Sequence, residues 1–357
     1  MIEKQNFMKR AVALVVVALG LSLAIAACGG GSSDNASASG SGGSGGSSGG
    51  STELNLVAYS TPKKAYAALT SAFQQTSAGK GVGFAQSFGA SGSQSRAVDS
   101  GQPADVVAFS TEPDISRLVK DKLVASNWDS GPYQGNVANS VVVMVVRKGN
   151  PKHITDWNSL IQPGIKVVTP NPSTSGSARW NVLAAYGAQL KMGKSPSEAL
   201  SYVKTLITKH TASEPSSAST ALQAFTSGEG DVLLDYESDA IAAKKAGEAI
   251  QYIVPKQTLL IQTPDAVTVK SQHAKQAKAF VNWLVTPPAQ KIWAEQGYRP
   301  VVPSVLKQYA SEFPTPPQLF NISYLGGWTK AKSEFFDPST GSITKIEQAA
   351  GYPTASS

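Results

Sequence analysis

Four serine-rich turns stand out: Ser60-Thr61, Ser91-Gly92-Ser93, Ser175-Gly176-Ser177 and Ser216-Ser217. Each precedes residues with helical spacing. A turn of this kind leaves backbone N–H groups free at a helix start, with the positive end of the helix dipole behind them. Serine adds a hydroxyl donor, and glycine lets the backbone approach a ligand closely. Four such turns brought together would form a cage for a small anion without any charged side chain. Taken singly, each turn also fits ordinary capping by serine.

Catalytic groupings are weak. The three histidines, His153, His210 and His273, stand in polar, loop-like or helix-edge contexts and read as surface residues. No H-E-x-x-H, Walker A or complete G-x-G-x-x-G motif is present. Gly42-Gly43-Ser44-Gly45-Gly46 matches G-x-S-x-G, but inside a Gly/Ser tract with no strand before it and no helix after it. A secreted serine hydrolase therefore lacks its positioned base. Asp235, Glu237 and Asp239 form an acidic run that reads as hinge or rim groups ahead of an acid/base pair. The expectation is a binding protein and not an enzyme, with no cofactor and no metal site.

The elements that must position these turns alternate. Strands are expected over 54–59, 82–87, 104–109, 140–147, 165–169, 231–235 and 266–269. Helices are expected over 63–75, from Ser91, and over 178–190, 195–207, 216–226, 274–285 and 288–296. Alternation of this kind gives an α/β fold with a largely parallel sheet. Two α/β lobes with an interlobe cleft and a hinge are the economical arrangement, and ligands in such sheets bind beyond the carboxyl ends of the strands. Lobe 1 is expected to begin with 53–139, lobe 2 to cover 140–261, and 262–335 to return to the first lobe. A polar tail would follow over 336–357.

The 357 residues carry a net charge of +7, and 15% are charged. No dense Lys/Arg cluster points to nucleic acid. Residues 1–10 are basic and 11–27 apolar but short, as in a secretory signal peptide. Ile25-Ala26-Ala27-Cys28 resembles the bacterial lipobox, in which the cysteine takes a lipid and becomes the first residue after cleavage. Cys28 is the one cysteine, so an internal disulfide is excluded. Residues 29–52, almost wholly Gly, Ser and Ala, read as a flexible tether.

The run Val146-Arg147-Lys148-Gly149-Asn150-Pro151 is followed by Asp156-Trp157, Pro163-Gly164 and Thr169-Pro170-Asn171-Pro172. Then come Ser175-Gly176, Ala178-Arg179-Trp180-Asn181 and Leu183-Ala184-Ala185. Together with Gln86-Ser87, Ser91-Gly92, Gly230-Asp231-Val232-Leu233 and Tyr298-Arg299-Pro300, this closely resembles the bacterial sulfate-binding protein family, the solute-binding components of sulfate/thiosulfate ABC importers. The resemblance covers most of 54–328. It implies a two-lobe periplasmic-binding fold (type II-like) and a buried, dehydrated sulfate held by main-chain N–H groups, a serine hydroxyl and an indole N–H.

Carried onto this chain, the backbone donors fall on Ser60, Ser91, Gly176, Ser177 and Ser217, and the hydroxyl donor on Ser175. Arg179 would hold the site from behind its helix start without touching the anion. Tyr236 stands where the family has the indole, Ser60 where it commonly has Asp, Ser177 for a glycine and Ser217 for a small residue. Ser216 or Ala218 are alternatives to Ser217. The implied partners are sulfate, an ABC permease, and the membrane through a lipid on Cys28; the implied state is an extracytoplasmic, membrane-anchored monomer. A donor-only cage suits a dianion without a proton. Phosphate carries a proton, and leaving it unpaired costs about 1–3 kcal/mol, roughly one to two decades of affinity. Thiosulfate and molybdate stay open on pocket size, and a phosphate-type oxyanion stays open because Asp235 and Glu237 lie near Tyr236. A surface lipoprotein that only mediates contacts is the reading from another class.

Overall fold

A computed structural model describes residues 52–354. The expected signal peptide, Cys28 and all but the last residue of the tether lie outside the described residues. Thr52, expected as tether, opens the first strand.

The chain begins with alternating strands and helices: β1 (Thr52–Tyr59), α1 (Lys63–Gln74), β2 (Val82–Gly89), α2 (Ser91–Asp99), β3 (Val106–Ala108) and α3 (Glu112–Lys120). The three strands are parallel in the order β2-β1-β3. β1 reads as an apolar run because its second half is buried on both faces. Helix α1 lays Tyr66, Leu69 and Phe73 on it at helical spacing.

β4 (Asn136–Arg147) leads to β5 (Val167–Val168), α4 (Gly176–Lys191), α5 (Pro196–Thr205), β6 (Thr211–Ser213) and α6 (Ala218–Thr226). Then come β7 (Val232–Tyr236), α7 (Glu237–Lys245), β8 (Ile250–Ile253) and β9 (Gln257–Val267). The C-terminal part holds α8 (Ala274–Leu284), α9 (Pro287–Glu295), α10 (Pro303–Gln308), β10 (Gln318–Phe320), α11 (Gly327–Phe335) and α12 (Ser342–Ala350).

The long strands β4 and β9 join two lobes. They pair antiparallel with each other from Asn136↔Pro264 to Val141↔Leu260. Beyond that stretch β4 turns to β7 and β8, while the far end of β9 turns to β3. The cores divide the same way. Leu56, Tyr66, Phe73, Phe280 and Trp293 pack in one lobe, and Trp157, Trp180, Leu183, Val232 and Leu234 in the other. This is the two-lobe α/β solute-binding architecture expected above.

Four expectations differ from the structure. β9 runs over eleven residues, whereas only its end at 266–269 was expected as a strand. Thr258, Thr263 and Pro264 hid it. The Thr258 and Thr263 hydroxyls donate to the Val142 and Ala138 carbonyls at 2.6 and 2.9 Å, and Pro264 falls beside a register irregularity in β4, where a proline is tolerated. β5 pairs over two residues only. The segment after Phe336 is not a loose polar tail: Ile343 and Ile346 of α12, three apart, are buried against the second lobe. His210 is buried, with Nδ1 3.1 Å from the Ile165 carbonyl oxygen. Among the described residues, no helix is long and apolar enough to cross a membrane.

Candidate functional site

Helix α4 starts where the loop 169–175 is tied down from all sides. Asn171 is the hub. Its carbonyl accepts from Thr174 and Ser175 N–H at 3.3 and 2.9 Å, and its Oδ1 accepts from Ser173 N–H at 2.9 Å. Arg179 Nε donates to the Pro172 carbonyl at 3.0 Å, so this side chain supports the loop from behind. Ser175 is the N-cap residue, but its hydroxyl makes no capping bond to the helix; it lies 3.1 Å from Ser177 Oγ. Both serines are buried. No described group takes the N–H of Gly176 or Ser177.

The other lobe presents α2 in the same manner. Its N-cap is Ala90, and the N–H of buried Ser91, the first helical residue, has no partner among the described residues. Ser91 Oγ donates to Asp114 Oδ2 at 2.6 Å and accepts from Ser110 N–H at 3.0 Å. The Gly92 N–H crosses the cleft to the Thr174 carbonyl at 3.1 Å.

Ser110 was not picked out from the sequence. It lies two residues after β3 and shortly before α3, which has proline at its start, so the strand–serine–helix signal of the other turns was there to be read. All its polar groups are used. Besides the bond to Ser91, its carbonyl accepts from Trp180 Nε1 at 2.7 Å and its Oγ meets the Tyr236 hydroxyl at 2.6 Å. Trp180 and Tyr236 belong to the opposite lobe. Gly176 packs directly on Ser110: a Cβ at 176 would lie 2.4 Å from Ser110 Oγ. The cleft is closed, and these residues are its floor. Burial pushes the Tyr236 phenol well above its ordinary pKa, so the hydroxyl keeps its proton.

The remaining expected residues lie nearby in different roles. Ser60 lines an interlobe cavity of about 390 Å³ with Lys64, Ser219, Gln223 and Asp239. The Ser217 N–H is already engaged: it donates to Thr220 Oγ1 at 3.0 Å, in a capping box in which Ser217 Oγ accepts from Thr220 N–H. A sequence pattern shows the capping serine but not whether the cap consumes its N–H. Among the acids, Glu237 is held by Arg299 through two bonds of 2.6 and 3.0 Å. Asp114 accepts from Ser91 and Thr111 and lies 3.9 Å from Arg179 Nη1 across the cleft. Asp239 accepts from Thr61 Oγ1 of the opposite lobe at 3.0 Å. Among the described residues no cluster of His, Cys, Asp and Glu is arranged to hold a metal.

Residues 54–299 match a family model described as bacterial extracellular solute-binding protein. The chain is 40% identical over 313 residues to the sulfate-binding protein of Synechococcus elongatus, covering 85% of this chain and 89% of that one. It is 33% identical over 314 residues to the thiosulfate-binding protein of Escherichia coli, covering 83% and 91%. Among solved structures, the sulfate-binding protein SubI from Mycobacterium tuberculosis H37Rv aligns with a TM-score of 0.79 at 45% identity, over 80% of this chain and 100% of that one.

Proposed function

Because the chain belongs to the bacterial sulfate-binding protein family of extracellular solute-binding proteins, which are not enzymes, we propose that it captures sulfate outside the cytoplasm and delivers it to an ABC permease. The anion sits between the starts of α2 and α4. The observation that supports this reading is the set of N–H groups of buried Ser91, Gly176 and Ser177, which no acceptor among the described residues takes. The Ser175 hydroxyl joins them, and Tyr236 closes the site through Ser110. Ser60 contributes from the lobe-1 side of the cleft. At α6 the donor is Ala218 N–H rather than Ser217 N–H, since the capping box consumes the latter.

Selectivity follows from what the acids do. Glu237, Asp114 and Asp239 each accept from protein donors. A protonated oxyanion whose hydrogen does not reach the unpartnered Asp114 Oδ1, which lies 3.9 Å from Arg179 Nη1, leaves a buried donor unmet at a cost of about 1–3 kcal/mol. Thiosulfate is the second reading, favoured by the relative of that name. Residues 1–27 act as a signal peptide, Cys28 carries the lipid, and the Gly/Ser tract that follows is the tether. The hinge lies where β4 and β9 cross, near 139–140 and 261–262, and the chain acts as a monomer.

Calorimetry on the soluble chain from Glu53, stripped of bound anion, tests the site. Sulfate binding at least tenfold tighter than phosphate and molybdate supports it; a preference for phosphate refutes the donor-only cage. Membrane retention of the full chain and its loss in Cys28→Ala test the anchor.

A further inference from the structure

Asp239 stands at the lobe interface without being part of the donor set. It lies in the first turn of α7, and Thr61, from the loop before α1 on the other lobe, donates to its Oδ2 at 3.0 Å. The closed cleft leaves Asp239 8% exposed. The cavity that it shares with Ser60 and Thr61 is formed by both lobes, so opening the hinge admits water to it. Behind it, Asp235 is fully buried, with Oδ1 on the Tyr236 N–H and Oδ2 unpartnered. Resting on the sulfate reading above, we propose that Asp239 takes up a proton as the cleft closes, so that anion capture is coupled to proton uptake.

Three physical effects act on Asp239. Closure strips its water, which favours the neutral acid; the closed form holds it up to about 7. A dianion arriving in the same cleft pushes in the same direction. Hydrogen bonding from the Thr61 hydroxyl and from the Asp235 carboxyl opposes them by stabilising the carboxylate. The groups facing it add no fixed opposite charge at close range. Tyr59 and Tyr298 are buried phenols held neutral, and Asp235 is a carboxyl that burial raises well above its ordinary value. Lys63 and Lys64 are exposed at the cavity rim, where Glu248 also lies. In the open form a hydrated Asp239 returns to the ordinary carboxylate range, about 4. Protons are therefore bound between roughly pH 4 and 7 on closure. By linkage, affinity for the anion falls as pH rises through that window, by up to about tenfold per unit.

The experiment is calorimetry with sodium sulfate from pH 5 to 8, in paired buffers of different ionisation enthalpy. Sulfate stays a dianion throughout, so the ligand contributes no proton. The expected result is at least a tenfold loss of affinity over the range, with close to one proton taken up per anion near pH 6. Asp239→Asn keeps an oxygen for Thr61 and should bind sulfate with a flat profile and no proton uptake. Thr61→Ala removes a group that opposes protonation and should extend the window upward in pH. An affinity independent of pH in the unsubstituted protein, or a profile unchanged in Asp239→Asn, overturns the coupling alone. No sulfate binding at any pH overturns the sulfate reading and the coupling with it.

Discussion

Substituting Gly176 by alanine separates closure of the cleft from the donors that line it. The backbone at 176 has no positive φ, so alanine is conformationally admissible at this first helical position, where it is a better helix former by about 1 kcal/mol. The N–H stays in place, so the donor inventory is unchanged. What changes is a methyl group 2.4 Å from Ser110 Oγ, 2.7 Å from Ser110 Cβ and 3.0 Å from Thr111 Cγ2. All three atoms belong to the opposite lobe and cannot all move away, because Ser110 is fixed by Ser91, Trp180 and Tyr236. Overpacking of this kind costs about 1–3 kcal/mol. It is felt only when the lobes meet, so it falls on binding and spares folding. Sulfate affinity should drop roughly 5- to 150-fold, while the melting temperature of the anion-free protein stays within about a degree. Calorimetry and thermal melts measure the two quantities. Affinity within twofold of the unsubstituted protein would show that the cleft does not close on Gly176. A fall in the anion-free melting temperature would show strain inside one lobe instead.

Three more outcomes follow from the same contacts. Ser110→Ala leaves the buried Tyr236 hydroxyl without its partner, at a cost of about 1–3 kcal/mol; sulfate affinity should fall by one to two decades and Tyr236→Phe should restore part of it, as a double-mutant cycle would show. Arg299→Met strands Glu237, 1% exposed, without its cation, and should destabilise the fold by about 3–5 kcal/mol in urea melts. Thermal stability should decline as pH rises from 5 to 9: burial holds Glu347 up to about 7, Asp265 to about 8 and Glu214 to about 10, so the folded chain keeps protons that the unfolded chain has released. The contribution of each such group is full below its unfolded value near 4 and is lost as pH rises towards its folded one. Glu347→Gln should flatten that decline in melts across the range.

The two helix starts that form the core of the proposed site were legible as helix starts because their signals are local. Ser91-Gly92 and Ser175-Gly176 each follow a loop and open a helix, and the T-P-N-P run before α4 is long enough to mark the loop that Asn171 organises. Ser110 escaped because its role lies in contacts with residues 70 and 126 positions away, which only the lobe arrangement creates. β9 escaped for a related reason: threonines and a proline at its centre are stable in a strand only because β4 receives their hydroxyls and bulges beside the proline. α12 escaped because its apolar face is two isoleucines wide among polar neighbours, too narrow to register until a groove is there to receive it. Local chemistry reads from sequence; the pairing of distant surfaces does not.

The closed cleft explains why capture needs the anion. Among the described residues, the hydrogen bonds that cross between the lobes include Gly92 to Thr174, Trp180 to Ser110, Thr61 to Asp239, that between Ser110 and Tyr236, Lys245 to the Glu295 carbonyl, and the Arg299–Glu237 pair. Each neutral one contributes about 0.5–1.5 kcal/mol net, because the open form makes the same bonds to water. Against them stand the N–H groups of Ser91, Gly176 and Ser177, which closure removes from water without supplying a protein acceptor. Each of these costs about 1–3 kcal/mol if left unmet. The unmet donors offset much of what the crossing bonds contribute, so closure is weaker without a ligand than with one. An anion that accepts all three removes that offset. On the proposed reading, the donors that recognise the ligand also oppose closure without it, and a permease that reads the closed shape would read occupancy.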